Sequence, residues 1–392
     1  MKNITAFPEV RMLNRAVFPG MAIFFGLIFF SGCAKHETLW KGTVFTEDGV
    51  TVVKNPKEPI FEHPVLELRE DLTISGSRKE EERMFQNIHT LDIDAAGNFY
   101  ILDEQAANIK VFDQNGNFLR TIGRKGQGPG EFGLPISLAI TPDQHILVNE
   151  MAQRKLLFFD LKGSFLRQIS IADMFLFLGP MIASDGHLIA MHTVPGKKPQ
   201  SFLKKFSPDL EPILSFASAY VERPPLADIF VALHLTRLLW TLRPDDTVVW
   251  ADIKNPDYVL HVQDLDGILL KKITREYDPI PITAEDRERL MDKAFGDNPT
   301  RNQWDVRFPD TYPSFKGLSF DDEGRLFVRR YEKEGSPDGG LFDIFDANGR
   351  YMASQRFKMN PLIWKKGRMY TIEDDREGFN IVKRYLAKWK HL

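Results

Sequence analysis

Apolar and polar positions recur in step along two stretches of this chain. Leu91–Gly123 reads LDIDAAGNFYILDEQAANIKVFDQNGNFLRTIG, and Leu138–Ser170 reads LAITPDQHILVNEMAQRKLLFFDLKGSFLRQIS. Each has 33 residues, they align without a gap, and they sit 47 apart. Ile93 falls with Ile140, Phe99 with Ile146, Ile101 with Val148, Ile109 with Leu156 and Phe112 with Phe159. Short apolar runs bounded by turn residues predict four strands per unit. The turns are expected at Ala96-Gly97, Asn115-Gly116, Asp143-Gln144 and Lys162-Gly163; Asn-Gly is the strongest two-residue hairpin signal, because both residues tolerate positive φ. Four strands at a period in the forties form the signature of a propeller blade.

Weaker copies follow. Ile182–His192 predicts a first hairpin with Phe202–Phe216 as its outer pair, and Leu242–Asp252 precedes Tyr258–Ile273. Gly317–Tyr331 precedes Leu341–Phe357, and Leu362–Asp375 precedes Phe379–Trp389. The last unit is one strand short, whereas Val65–Ile74, VLELREDLTI, is a strand without a unit. Pairing the two closes the ring and leaves no open edge between the chain ends. The expected fold is all-β: a six-bladed β-propeller of four-stranded blades, closed by an N-terminal strand, spanning residues 64–390.

Two insertions interrupt the rhythm. Within residues 276–312, ITAEDRERLMDKAFGD (Ile282–Asp297) predicts a helix with Thr283 as N-cap, Asp286 three residues on, and Gly296 ending it. Leu290, Met291 and Ala294 give it an apolar stripe for a propeller face. Arg223–Trp240 begins Pro-rich and is unusually apolar; a core strand, a helix and a cap all fit it.

The N-terminus follows another pattern. Lys2, Arg11 and Arg15 precede Val17–Phe30, fourteen residues without a polar side chain. A basic stretch, a short apolar run and small residues make an export signal, and the run is shorter than the roughly 20 residues a spanning helix needs. It ends in Phe30-Ser31-Gly32-Cys33, with the only cysteine of the chain. This resembles the lipobox of bacterial lipoproteins, although Phe30 stands where that family prefers Leu. The resemblance implies a signal peptide over residues 1–32, a diacylglycerol thioether on Cys33, and a lipidated tether over 33–63. Two or more acyl chains hold a protein stably at a membrane. Ala34, rather than the Asp that retains some lipoproteins at the inner membrane, points by analogy to an outer membrane, facing periplasm or exterior. Met12 offers a shorter leader than Met1.

Without residues 1–32 the chain keeps 48 basic and 53 acidic residues, a net charge of −5. No basic stripe recommends nucleic acid as a partner. With one cysteine no internal disulfide forms, so the fold relies on its core; 43% hydrophobic residues, including 31 Phe, supply it.

FYILDEQAANIKVFDQNGNFLRTIGRKGQGPGEFGLP (Phe99–Pro135) carries Ile-x-Val-Phe-Asp, a Gly turn and Gly-Pro-Gly-x-Phe running to a Pro. In this it resembles the NHL-type six-bladed propellers, among them many exported bacterial lipoproteins. Fold alone leaves function open, since that scaffold hosts lyases, lactonases and binding proteins.

Candidate chemistry is sparse. Gly128, Gly130 and Gly133 satisfy G-x-G-x-x-G, but Leu134-Pro135 and a strand follow, so no helix N-terminus faces a pyrophosphate. The loop reads as an interblade crossover. Lactonase-like relatives hold a divalent ion in the channel with Glu, Asn and Asp, a set of hard oxygen ligands. The inner-strand starts offer Asn87, His89, Ser137, Trp240 and Lys316 instead. Asp103, Asn149 and Glu150 read as turn caps. The acidic DLDG (Asp264–Gly267) reads as a hairpin turn and EDDREG (Glu373–Gly378) as a solvated loop. No H-E-x-x-H or G-x-S-x-G occurs. No catalytic, metal or cofactor residue is assigned. The expected function is a membrane-anchored binding or scaffold module for a protein or glycan, attached through Cys33. The alternative is a metal-dependent lactonase or lyase with its site in the central channel.

Overall fold

The computed structural model describes residues 40–76, 84–197, 199–220, 238–296, 308–333, 335–359 and 363–390. The leader, Cys33 and most of the Arg223–Trp240 insertion lie outside the described residues. Six sheets follow one another: 88–122, 135–170, 175–220, 238–275, 315–357, and 363–389 joined by an N-terminal strand. They form the six blades of a propeller, each with its first strand innermost. Among the described residues, blade four alone exceeds four strands.

Apolar side chains alternate with polar ones on outer strands, whereas second strands are buried on both faces. Phe99–Asp103 is buried at every position, while the outer Phe165–Ser170 is mostly exposed. The core is consequently divided into layers, one per seam between adjacent blades. Tyr100, Leu102, Ile109 and Val111 of blade one meet Leu138, Ile146 and Phe159 of blade two, and five similar clusters complete the ring.

β1 (Thr43–Glu47), β2 (Val50–Asn55) and β3 (Leu66–Ser75) precede blade one. β3 pairs antiparallel with Asn380–Trp389, in a register from Leu66↔Trp389 to Ser75↔Ile381, and so completes blade six as predicted. The expected tether over 33–63 is corrected by β1 and β2. They form a hairpin on the outer edge of blade four, with β2 parallel to Leu269–Arg275. Val52 and Val53 are buried, and Asn55 is fully so. Its Nδ2 donates to the carbonyls of Gly349 and Thr274, and its Oδ1 accepts from Tyr351 N–H and Trp40 Nε1. The segment packs because this blade edge offers both apolar surface and unpaired backbone.

The turns fall at the four expected pairs, but their form is not the two-residue hairpin that Asn-Gly signals. Of the four expected pairs only the second residue takes positive φ: Gly97, Gln144, Gly116 and Gly163. An aspartate two residues before the pair, Asp94, Asp113 or Asp160, explains three of them. Asp113 Oδ1 accepts from the N–H groups of Asn115 and Asn117, and Gly116 N–H closes on Asp113 O at 3.0 Å. That is a type I turn followed by a left-handed residue. DLDG is the same turn, with Asp264 accepting from Asp266 and Ile268 N–H. Among the described residues, Asp48-Gly49 between β1 and β2 and Lys366-Gly367 in blade six each have two positive φ values in succession within a two-residue loop.

The helix α1 (Ala284–Phe295) begins at Thr283 with a full capping box to Asp286 and ends at Gly296, as the sequence predicts. Ile282, Leu290 and Tyr312 form its buried cluster, against Met291, Phe295 and Tyr331. Lys333 reaches Asp286 at 2.6 Å and fixes the helix to the loop between the second and third strands of blade five. That ammonium, with Thr283, holds the Asp286 carboxyl well below the usual carboxylate range.

The Gly-rich stretch is a crossover, as expected. Gly126 N–H and Phe132 N–H pair with Phe132 O and Arg124 O, and Phe132 is wholly buried against Phe159. Gly123, at positive φ, lies where a Cβ would collide with the Phe132 ring.

Candidate functional site: the crossover face

Every inner strand starts where a crossover arrives, so one end of the channel collects all the long connections. These include 123–134 and the insertion that carries helix α1. The opposite end carries tight hairpin turns. The crossover face is therefore where sequence variation can build a site on a rigid support.

Of the channel residues expected from sequence, the fold does not bring the five together. Asn87 and Glu104 pair through their backbones, and His89 Nδ1 lies 3.1 Å from Glu104 Oε2. Ser137 is partly exposed on the inner strand of blade two. Trp240 leaves the channel: it packs in the layer between blades three and four. Asp103 caps, accepting from Gln86, Asn87 and Ala106 N–H. Glu150 does likewise for Gly133, Leu134 and Gln153 N–H.

Asn149 is a correction. It does not cap; its Nδ2 donates to Phe177 O at 2.7 Å and ties blade two to blade three. The repeat carried a usable signal, because Asn149 aligns with the apolar Leu102.

At the far end of the channel, Asp92 accepts from Ile140 N–H and from Lys365 Nζ, both at 2.7 Å, and so joins blades six, one and two. No sequence spacing predicts that link across 273 residues.

Lys316 keeps its place at the mouth, in blade five. Burial lowers its pKa, and the neighbouring Arg329 guanidinium lowers it further, against an opposing pull from Glu332. Arg329 is likewise pushed down by burial, and its Nε is buried without a hydrogen-bond partner. Burial pushes the Glu332 carboxyl up, yet Arg356 and Leu341 N–H outweigh that and hold it low. Arg356 engages Glu332 through both terminal nitrogens. Neither Lys316 nor Arg329 makes a hydrogen bond or ion pair among the described residues. Sequence reasoning missed Arg329 and Glu332, because only packing puts them beside Lys316.

The described residues hold no group of three or more His, Cys, Asp or Glu placed to bind one ion. Asp92, the carboxylate nearest that role, is already bound to Lys365 and a backbone N–H.

Fold and site define a six-bladed propeller with Lys316 and Arg329 as neighbours on its crossover face. A family described as a 6-bladed beta-propeller matches residues 79–195. No curated protein matches the chain. Among solved structures, a protein of Bacteroides fragilis described as exported shares 14% identity and a TM-score of 0.55, over 86% of this chain and 99% of its own. A DUF4221 family member from Bacteroides vulgatus shares 12%, over 83% and 99%, at 0.48. A gluconolactonase of Xanthomonas campestris shares 12%, over 83% and 99%, at 0.45. At such identities the likeness to the first speaks for the fold alone.

Proposed function

We propose that this chain is a lipid-anchored, extracytoplasmic propeller of the NHL type that binds an anionic group of a protein or glycan at its crossover face. The observation that carries the reading is the Lys316–Arg329 pair. Two partly buried cations of like sign, with no ion-pair partner of their own, raise each other's energy, and an anion arriving at the mouth relieves that cost. Helix α1 stands beside the pair through Lys333 and frames the face.

Polygalacturonate and polyglutamate, one an acidic glycan and the other an acidic peptide, separate the two partner classes. One of them is expected to bind with an affinity that falls as salt rises. Lys316→Glu with Arg329→Glu is expected to weaken that binding at least tenfold, with circular dichroism unchanged. Equal binding by the double variant would remove the mouth from the reading.

The anchor rests on the Phe30–Cys33 motif. Cys33→Ala is expected to abolish palmitate labelling and to move the protein out of the membrane fraction. A variant still labelled and membrane-bound would overturn it.

A further inference from the structure

At the outer edge of the ring a basic side chain of one blade reaches a carbonyl in the outer hairpin turn of the next. Arg384 Nη1 donates to Gln114 O at 2.7 Å, from blade six to blade one. Arg120 Nη2 donates to Leu161 O, from one to two. Lys205 Nζ donates to Leu265 O at 3.3 Å, from three to four, and Lys271 Nζ to Asn348 O at 3.0 Å, from four to five. Blade six closes on β3 and has no such turn. The seam between blades two and three is the exception.

The residue that should bridge it is Arg167, the counterpart of Arg120 at the repeat distance of 47, and its target is Pro208 O, the counterpart of Leu161 O. Among the described residues the Arg167 side chain makes no hydrogen bond. Its guanidinium lies 4.1 Å above the Phe158 ring.

A second substitution widens the gap. In the seam between blades one and two the Tyr100 ring fills the space, its hydroxyl 3.3 Å from Asp94 Oδ2 and 3.2 Å from Leu161 O. The counterparts of Tyr100 and Asp94 are Leu147 and Thr141, which are smaller. A cleft of about 440 Å³ opens there, walled by Phe158, Ile182 and Leu188 and rimmed by Thr141, Arg167 and Pro208. Small-molecule sites run from about 300 to 1,000 Å³. The cleft lies among the hairpin turns, away from Lys316 and Arg329, and stands independently of the function proposed above.

We propose that this cleft binds a small phenolic molecule, with its ring on the apolar wall where Tyr100 sits in the preceding seam. Its hydroxyl oxygen accepts from Arg167, and its O–H donates to Pro208 O. A neutral hydroxyl suits the site because it both accepts and donates. A carboxylate suits it less, since Asp143, also on the lining, is an exposed carboxylate.

Saturation-transfer NMR on the full chain with 4-ethylphenol tests this. Transfer to the ring protons is expected, with ethylbenzene and benzoate each binding at least tenfold more weakly. Leu147→Tyr, which returns the blade-one ring to the seam, is expected to abolish binding. Arg167→Met, a surface change that leaves the core intact, is expected to weaken it about tenfold. Should Leu147→Tyr fail to fold, Arg167→Met decides alone. No transfer at millimolar 4-ethylphenol, equal binding by Arg167→Met, or equal or tighter binding of benzoate or ethylbenzene would overturn the proposal.

Discussion

Replacing Asp343 with alanine is expected to lower the unfolding free energy by about 3–5 kcal/mol, the usual effect of leaving one buried charge without its partner. Asp343 is fully buried in blade five. One carboxylate oxygen accepts from Tyr258 Oη at 3.0 Å and Arg275 Nη1 at 3.1 Å, and the other from Tyr351 Oη at 3.0 Å. Arg275 also lies 4.3 Å above the Tyr351 ring and donates to Lys57 O. One carboxylate thus organises blade four, blade five and the segment after β2. Urea unfolding of Asp343→Ala reads the loss. Adding Arg275→Met is expected to recover part of it, because two apolar groups in place of a buried pair cost little. A loss below about 1 kcal/mol would mean that water reaches the cluster.

The same cluster sets an alkaline limit. Burial, and then the negative charge of Asp343, push the Tyr351 hydroxyl up to about 12, and Tyr258 moves in the same direction for the same reasons. An unfolded tyrosine releases its proton near pH 10. The stabilisation is therefore full below pH 10 and is lost as pH rises toward 12, with a slope of up to about 1.4 kcal/mol per pH unit for each group. Tyr351→Phe is expected to flatten that slope while lowering stability at pH 7.

A chain beginning at Gly76 is expected not to fold as a monomer. It lacks β3, and the strand Asn380–Trp389 would present an unpaired edge nine residues long in its pairing register. It also loses Val65, Leu66 and Ile74 from two core layers. Gln355 would lose its bonds to Val65 N–H, Leu66 N–H and Leu66 O. Light scattering reads aggregation directly. Ile74→Ala, a milder change in the same strand, is expected to cost about 2–5 kcal/mol. A monomeric, cooperatively unfolding product from the Gly76 start would show that an open sixth blade, and a fourth blade without β1 and β2, suffice.

Much of this was present in the order of residues. Strands of a blade pair with their sequence neighbours, so hydrophobic period and turn residues are local signals, and the ungapped match of 91–123 with 138–170 placed two blades outright. The unpaired Val65–Ile74 forced the closure, and Thr283 with Asp286 marked the helix start because capping is a contact over three residues. The Asn-Gly and Asp-Gly pairs mark the turns, but the turn type is decided by the side chain of Asp113 or Asp264, which precedes the pair. The β1–β2 hairpin escaped notice because its partner strand lies more than 200 residues away. Tertiary structure alone decided the sites. Lys316 and Arg329 become a pair, Asp343 gathers two tyrosines and an arginine, and Arg167 misses its carbonyl. Each depends on which side chains meet across a seam, and no local period encodes that meeting.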